Sequence, residues 1–564
     1  MLPLTSKSLQ TQLNHYLSNY LDKYRSREKP LTNVSGFFWP PTIYSQIKPD
    51  FIKFALIQQG TVILIDFFCI ILRTLRQSLN FSNMRPTVLC KKSLRSFIAA
   101  LFLSLPQVSQ AELPELGDPT QKEFSPYRES LMGNQFYRSI RAAVPFVTDL
   151  EVNDYITNLG QRLISHSSQP DREIRVFVIK VPNINAFAGP DANIGFHTGL
   201  IIAAANESEL AGVMAHEISH VTQRHLARAM TESSTNPATM LATILAGILV
   251  ASQNPEAGAA IIYGGSAALM QSQINFTRAN EHEADRIGIG VLRDAGINPE
   301  GIAGFFETLL QQSESNNVMA QMEYLRTHPL STTRIAEARN RIDPQDRKLP
   351  DDSLDFQFMR ARVLIDMSKS TKLLVKQLEN LKPAQINIVS RYTLGIAYIK
   401  NRQSNKAISL LKKLSTEHSH PWIQLALSDA YSEAKNNMAA LKILKHLNTL
   451  LPNYLPVSIR YAKILLDTKQ SDRAITILNL QLRSKKIPVV YNALAKAYFS
   501  KGQISLALEA TSYEYELEGY INLASQQITN ALQQPNLNRL TIQRLESRKH
   551  DLSQQIHRSS QQEH

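Results

Sequence analysis

Cysteine is nearly absent from this 564-residue chain: there are two, Cys69 and Cys90, both within the first 111 positions. From residue 112 onward there is no thiol, which excludes disulfides, cysteine nucleophiles and cysteine-ligated metal there. That absence is compatible with an oxidising compartment. Charge of one sign is also scarce beyond the N-terminal stretch. Residues 1–111 carry 13 Lys/Arg against 4 Asp/Glu; subtracted from the totals of 61 and 48, this leaves 48 against 44 for residues 112–564. The net charge of +13 therefore belongs mostly to the N-terminus, and no nucleic-acid surface follows from it. Long hydrophobic runs are missing too. Those at 60–72, 240–251 and 257–270 all fall short of the roughly 20 residues that span a bilayer as a helix, and the first contains Asp66. What is there is length: 564 residues exceed one core and suggest three or four units.

From Met84 the chain runs through a basic stretch (Arg85, Lys91, Lys92, Arg95), an apolar segment at 97–105, and Ser109-Gln110-Ala111. These are the parts of a secretory signal peptide, but they begin at residue 84. Residues 1–83 read as an over-extended start or disordered arm and 84–111 as the signal peptide, with cleavage near Ala111. The alternative is a cytoplasmic arm anchored by 60–72.

The chemistry is concentrated at His216-Glu217-Ile218-Ser219-His220, an H-E-x-x-H pattern that follows helical periodicity from Asn206. Positions i and i+4 share one helix face. His216 and His220 can therefore offer two imidazole nitrogens to one zinc ion, while Glu217 can take a proton from water activated there. A tetrahedral catalytic zinc needs one further protein ligand and an open position. Residues 278–288 supply candidates: Glu281 and Asp285 are one turn apart, and Glu283 points nearly the opposite way.

Ahead of the motif, 136–143 and 149–165 read as helices. Residues 172–180 alternate like a strand, and 185–188 with 193–200 read as a strand pair. The apolar runs between 238 and 271 read as a buried helical hairpin, or as a mobile flap or membrane-surface contact. Beyond about 355 a period appears. Ala407, Ala440, Ala474 and Ala507 are spaced 33, 34 and 33 apart, each preceded at nine residues by Tyr398, Tyr431, Leu465 or Tyr498. Three further back stand Gly395, Ser428, Ala462 and Ala495. Small residues where paired helices touch, at a period near 34, indicate tetratricopeptide repeats. A degenerate unit at 356–383 precedes them, and a polar tail, 546–564, follows.

H-E-x-x-H, followed about 60 residues later by R-x-x-E-x-E-A-D-x-x-G (Arg278–Gly288), resembles the M48 family of zinc metallopeptidases. The repeats make the chain similar to its periplasmic β-barrel-assembly-enhancing type. The resemblance implies a mainly α fold with a small β-sheet: a zincin-type domain at 112–350 followed by an α-solenoid at 351–545. It implies one zinc per chain held by His216, His220 and Glu281, with Asp285 orienting a ligand histidine and Glu217 as the base. His328, in Arg326-Thr327-His328-Pro329-Leu330, resembles a switch-loop histidine that takes the fourth zinc position and holds the enzyme latent. His328 and Arg334 are candidates for supporting the oxyanion once that loop opens. Asn193, Ile194, Gly195, Phe196 and His197 are the expected edge strand for extended substrate. Where the family often has Gly-Gly, this chain has Asp191-Ala192, which leaves the shape of that loop open. His197 and His225 read as structural or surface residues rather than as ligands.

The implied function is a periplasmic zinc endopeptidase with chaperone-like activity. Its expected clients are unfolded or misassembled outer-membrane proteins, with the repeats engaging the β-barrel assembly machinery, no nucleic acid bound, and peripheral membrane contact as one reading of 238–271. The competing expectation is a non-proteolytic chaperone or scaffold with a latent zinc site.

Overall fold

The computed structural model describes residues 125–232, 242–243, 245–246, 267–316, 324, 328–329, 331–483 and 486–560. The leader at 1–111 and most of the apolar segment 238–271 lie outside the described residues. The fold is mainly helical with one small sheet. No helix among the described residues is long and apolar enough to cross a membrane.

The first helix, α1 (Pro126–Ala143), starts ten residues earlier than periodicity implies, because Ser125 caps it and Pro126 suits its first turn. Helix α2 (Leu150–Ile164) begins where the Asp149 side chain accepts from the Val152 N–H. The sheet has three strands: β1 (Arg175–Ile179), β2 (Ala186–Gly189) and β3 (Asn193–His197). Their order is β1-β3-β2, with β3 parallel to β1 and antiparallel to β2. This overturns the expectation that 193–197 is the exposed edge. All five residues are buried and hydrogen-bonded on both sides, so the edge on that side is β2. The expected strand to residue 200 also stops at His197. There the Thr198 hydroxyl and the Gly199 N–H both donate to the Val181 carbonyl, and the chain turns into α3 (Thr198–Ala203).

The loop between β2 and β3 explains the glycine pair of the resembled family. Asp191 and Ala192 adopt φ of 55° and 53°, a left-handed conformation that glycine takes freely and other residues at some strain. The loop keeps the glycine-type backbone without the glycines.

Helix α4 (Glu207–Thr222), capped by Asn206, is buried along almost its whole length. It is sandwiched by α6 (Ala267–Asp294) and α7 (Glu300–Asn316). The α4–α7 crossing is close: a Cβ on Gly301 would lie 1.9 Å from the Ser208 carbonyl oxygen, so glycine is required there. Helix α5 (His225–Glu232) follows Arg224 at φ 55°, and α8 (Thr332–Arg341) follows the Ser331 cap.

The remaining helices pair in series: α9 (Leu354–Met367) with α10 (Thr371–Glu379), α11 (Ile388–Lys400) with α12 (Ser404–Glu417), α13 (Pro421–Glu433) with α14 (Asn437–Leu450), α15 (Leu455–Asp467) with α16 (Ser471–Gln481), and α17 (Pro488–Ser500) with α18 (Ile504–Leu517). The alanine column is buried throughout. Between the helices of the last four pairs, Arg402, Lys435, Lys469 and Gly502 take positive φ. The next residue's N–H donates back to the carbonyl of Tyr398, Tyr431, Leu465 or Tyr498 at 2.7–3.0 Å, which closes each first helix in a Schellman-type turn. Helix α19 (Ile521–Leu532) is followed by α20 (Arg539–Ser560). The polar tail expected from 546 is therefore helical to 560: Leu545 and Leu552, seven residues apart, are fully buried with Ala524, Ile528 and Ala531 of α19. An i, i+7 leucine pair supplies a seam that overall polarity hides.

The series folds back on α1 and α2. Glu151 of α2, fully buried, pairs with Arg362 of α9 at 3.2 Å and with Arg460 of α15 at 2.9 Å. Arg141 of α1 pairs with Glu518 beyond α18.

Candidate metal centre

Helix α4 brings His216 and His220 to one face, and α6 places Glu281 opposite. The His216 and His220 Nε2 atoms are 3.0 Å apart. Glu281 Oε2 lies 3.4 Å from the first and Oε1 3.4 Å from the second. His328, between α7 and α8, completes the group: its Nδ1 is 3.0 Å from Glu281 Oε1 and 3.2 Å from His216 Nε2. One ligand atom from each of these four residues lies within 4.8 Å of every other. Three imidazole nitrogens and a carboxylate oxygen, convergent and all but His220 buried, fit a tetrahedral cation site.

The electrostatics fit as well. Burial opposes charging His216, but Glu281 and Asp285 outweigh it and raise its pKa to about 10. The carboxylates thus create a field that holds a cation. Burial pushes His220 down to about 3, which keeps its lone pair available. Asp285 stands 3.0 Å from His216 Nδ1, leaving Nε2 for the cluster, the arrangement by which an outer carboxylate fixes a ligand's tautomer. Asp285 itself is held down at about 2: burial would raise it, but His216 and Arg334 prevail.

Arg334 is engaged with the carboxylates behind the cluster. Its guanidinium, 3% exposed, bonds Asp285 through Nε and Nη2, each at 2.8 Å, while Nη1 reaches Glu281 at 2.9 Å and the Pro329 carbonyl at 2.8 Å. With His328 in the cluster, these bonds hold it to the two carboxylates and to the Pro329 carbonyl.

Glu217 is buried beside the cluster, and neither of its oxygens has a well-formed hydrogen bond among the described residues. His328 Nε2 is 3.4 Å from Oε1. Burial raises the carboxyl's pKa, opposed by His328, His216 and the Ala188 backbone N–H. A carboxylate so placed is more basic than one in water. That the Ala188 N–H faces Glu217 also shows which edge adjoins the site. On β2 the odd-numbered positions face β3, as in the His197 N–H bond to the Asn185 carbonyl. Ala186 and Ala188 therefore turn their backbone groups outward, alongside α4.

His225 and Tyr324 carried no functional signal in the sequence. His225 Nδ1 is 2.8 Å from His220 Nδ1; Tyr324, buried, stacks on His328 with ring centroids 4.6 Å apart. His225 is five residues past a ligand, a spacing without helical meaning until Arg224 turns the chain. His197 lies in β3, outside the cluster, its burial lowering its pKa to about 4. Glu283 faces away from the cluster, toward His225 and Arg228.

A helix bearing H-E-x-x-H, a carboxylate from a second helix and a basic glutamate beside them, next to an open strand edge, define a metallopeptidase. Residues 151–342 match the family profile of Peptidase family M48. The β-barrel assembly-enhancing protease of Escherichia coli (strain K12) is 33% identical over 451 residues, 78% of this chain and 91% of that one. A putative β-barrel assembly-enhancing protease of Vibrio cholerae is 32% identical over 454 residues, 79% and 93% of the two chains. A mitochondrial metalloendopeptidase of Arabidopsis thaliana, OMA1, matches more locally, 30% identical over 154 residues, 27% of this chain and 28% of that one. The chain belongs to peptidase family M48, and it is a metalloendopeptidase followed by helical repeats of the tetratricopeptide kind.

Proposed function

We propose that this protein is a zinc-dependent endopeptidase of the Gram-negative periplasm. In this reading it acts on unfolded or misassembled outer-membrane proteins and holds them in a chaperone-like way. The convergence of His216, His220, Glu281 and His328, with Glu217 alongside, carries the reading. A set of nitrogen and oxygen donors in tetrahedral number favours zinc. When bound, zinc supplies Lewis acidity that activates water and stabilises the charge developing on the scissile carbonyl. His216, His220 and Glu281 would hold it, with Asp285 keeping Nε2 of His216 directed into the cluster. Glu217 takes the proton from the attacking water and returns it to the leaving amine. Extended substrate adds to the outward backbone groups of Ala186 and Ala188 on β2, so the registering edge is β2 rather than the expected β3.

In this reading His328 would supply the fourth ligand and keep the site shut until it moves aside for substrate. The names of the relatives support a place in β-barrel assembly, with the repeats as the surface for the assembly machinery. The proposed division runs as a leader to residue 111, a protease domain at 112–350 and repeats from 351 to 560.

Glu217→Gln is expected to keep zinc and lose cleavage of an unfolded outer-membrane protein. Undiminished cleavage would refute the assignment. His328→Ala is expected to raise cleavage, whereas a pure scaffold would show none in either form.

A further inference from the structure

The two histidines of the zinc helix are held from behind by different means. His216 leans on the carboxylate of Asp285. Among the described residues no carboxylate stands at the Nδ1 of His220; another imidazole, His225, stands there at 2.8 Å with its ring nearly perpendicular (77°). His225 is only 4% exposed, and its own Nε2 reaches Glu283 Oε2 at 3.1 Å. Glu283 in turn lies 3.4 Å from the Arg228 guanidinium. The backbone is shaped for this: Arg224 at φ 55° ends α4 and turns α5 so that its first residue, His225, folds back over His220.

Proton placement along this chain has one consistent solution. For His220 to ligate through Nε2, its proton must sit on Nδ1, and that N–H donates to His225 Nδ1. His225 then accepts at Nδ1, carries its proton on Nε2 and donates it to Glu283. Each donor meets an acceptor, and the chain terminates on a carboxylate that an arginine balances. The opposite tautomer of His225 would present N–H to N–H at 2.8 Å.

Building on the zinc-site reading, we propose that His225 is a positioning residue for the metal ligand His220, fixing its tautomer and ring plane through a His220–His225–Glu283 relay anchored by Arg228. The site is thereby supported from two helices: α6 supplies Asp285 behind His216, and α5 supplies His225 behind His220, with Glu283 of α6 behind that. The ordering of His220 thus depends on the α4–α5 turn.

The test is zinc affinity of the full-length protein, measured with Zn2+ alone against a competing chelator. Outer partners of metal ligands are typically worth 10–100-fold in affinity. His225→Phe should weaken zinc binding by that order. Glu283→Gln, at a partly exposed site that does not endanger folding, should weaken it less, and His225→Gln, which can still accept from His220, should recover part of the loss. The Co2+-substituted His225→Phe protein should show an altered visible spectrum, while the metal-free variants keep the wild-type thermal midpoint. Wild-type zinc affinity in both His225→Phe and Glu283→Gln would overturn the proposal, as would a loss in affinity matched by a loss in metal-free stability. A separate arm tests the underlying reading: if His220→Ala binds zinc as tightly as wild type, the ligand assignment itself fails, whatever His225 does.

Discussion

Arg334→Met isolates the charge balance on which the metal centre rests. The guanidinium is buried and makes two 2.8 Å bonds to Asp285, one of 2.9 Å to Glu281 and one of 2.8 Å to the Pro329 carbonyl. It also lies over the Phe306 ring, 4.8 Å from the centroid. Methionine keeps much of the volume but leaves two buried carboxylates without their cation. Breaking a buried pair by removing one partner costs about 3–5 kcal/mol. At about 2–4 °C per kcal/mol for a domain of this size, the melting point should fall by roughly 10 °C. The metal-free protein should show the full loss, and Zn2+ should restore part of it by substituting for the missing charge. Differential scanning fluorimetry of metal-stripped and zinc-loaded protein reads both numbers. Arg334→Met/Asp285→Asn should cost less than the sum of the single changes, because the second removes one of the stranded charges. A loss below about 1 kcal/mol, or strict additivity in the double variant, would refute the argument, since values of that size belong to exposed ion pairs.

Two further outcomes follow from buried groups. His197 is held near pKa 4 by burial, against about 6.5 when unfolded. Below pH 6.5 the unfolded chain takes up a proton that the folded chain refuses until about pH 4, so His197 lowers stability as pH falls through that window, by up to about 3 kcal/mol. Denaturation of His197→Leu between pH 7 and 4 should show a shallower acid slope than wild type; an equal slope contradicts the assignment. Glu151→Ala strands Arg362 and Arg460, although Asp149 still faces the first and Asp429 the second. The cost should lie near the low end of the buried-pair range, about 3 kcal/mol. Unfolding should then separate into repeat and protease transitions, and a single unchanged transition would count against this coupling.

Much of this was legible in the sequence because the signals are local. H-E-x-x-H and E-x-E-A-D are each contained within about one turn or two of helix, and helical spacing states which residues share a face. The repeats were legible because small residues recur at fixed phase. The missed features depend on tertiary placement. Asn193–His197 has the look of any short strand, and only the β1-β3-β2 order makes it central and β2 the edge. Arg334 resembles an available cation until α8 docks it on Asp285 and Glu281. His225 acquires a partner only because Arg224 adopts a left-handed conformation that its side chain does not advertise. The helix at 539–560 was hidden by polarity, its two buried leucines outnumbered by glutamine, arginine and serine.

The central claim is that His216, His220 and Glu281 form one metal site with Glu217 as its base, and metal stoichiometry tests it most directly. Elemental analysis of purified wild type and of the Glu217→Gln variant is expected to give one zinc per chain in each, falling to near zero in His216→Ala and Glu281→Ala. Zinc retained at one per chain in His216→Ala or Glu281→Ala, or absent from the wild type after zinc loading, would contradict the account.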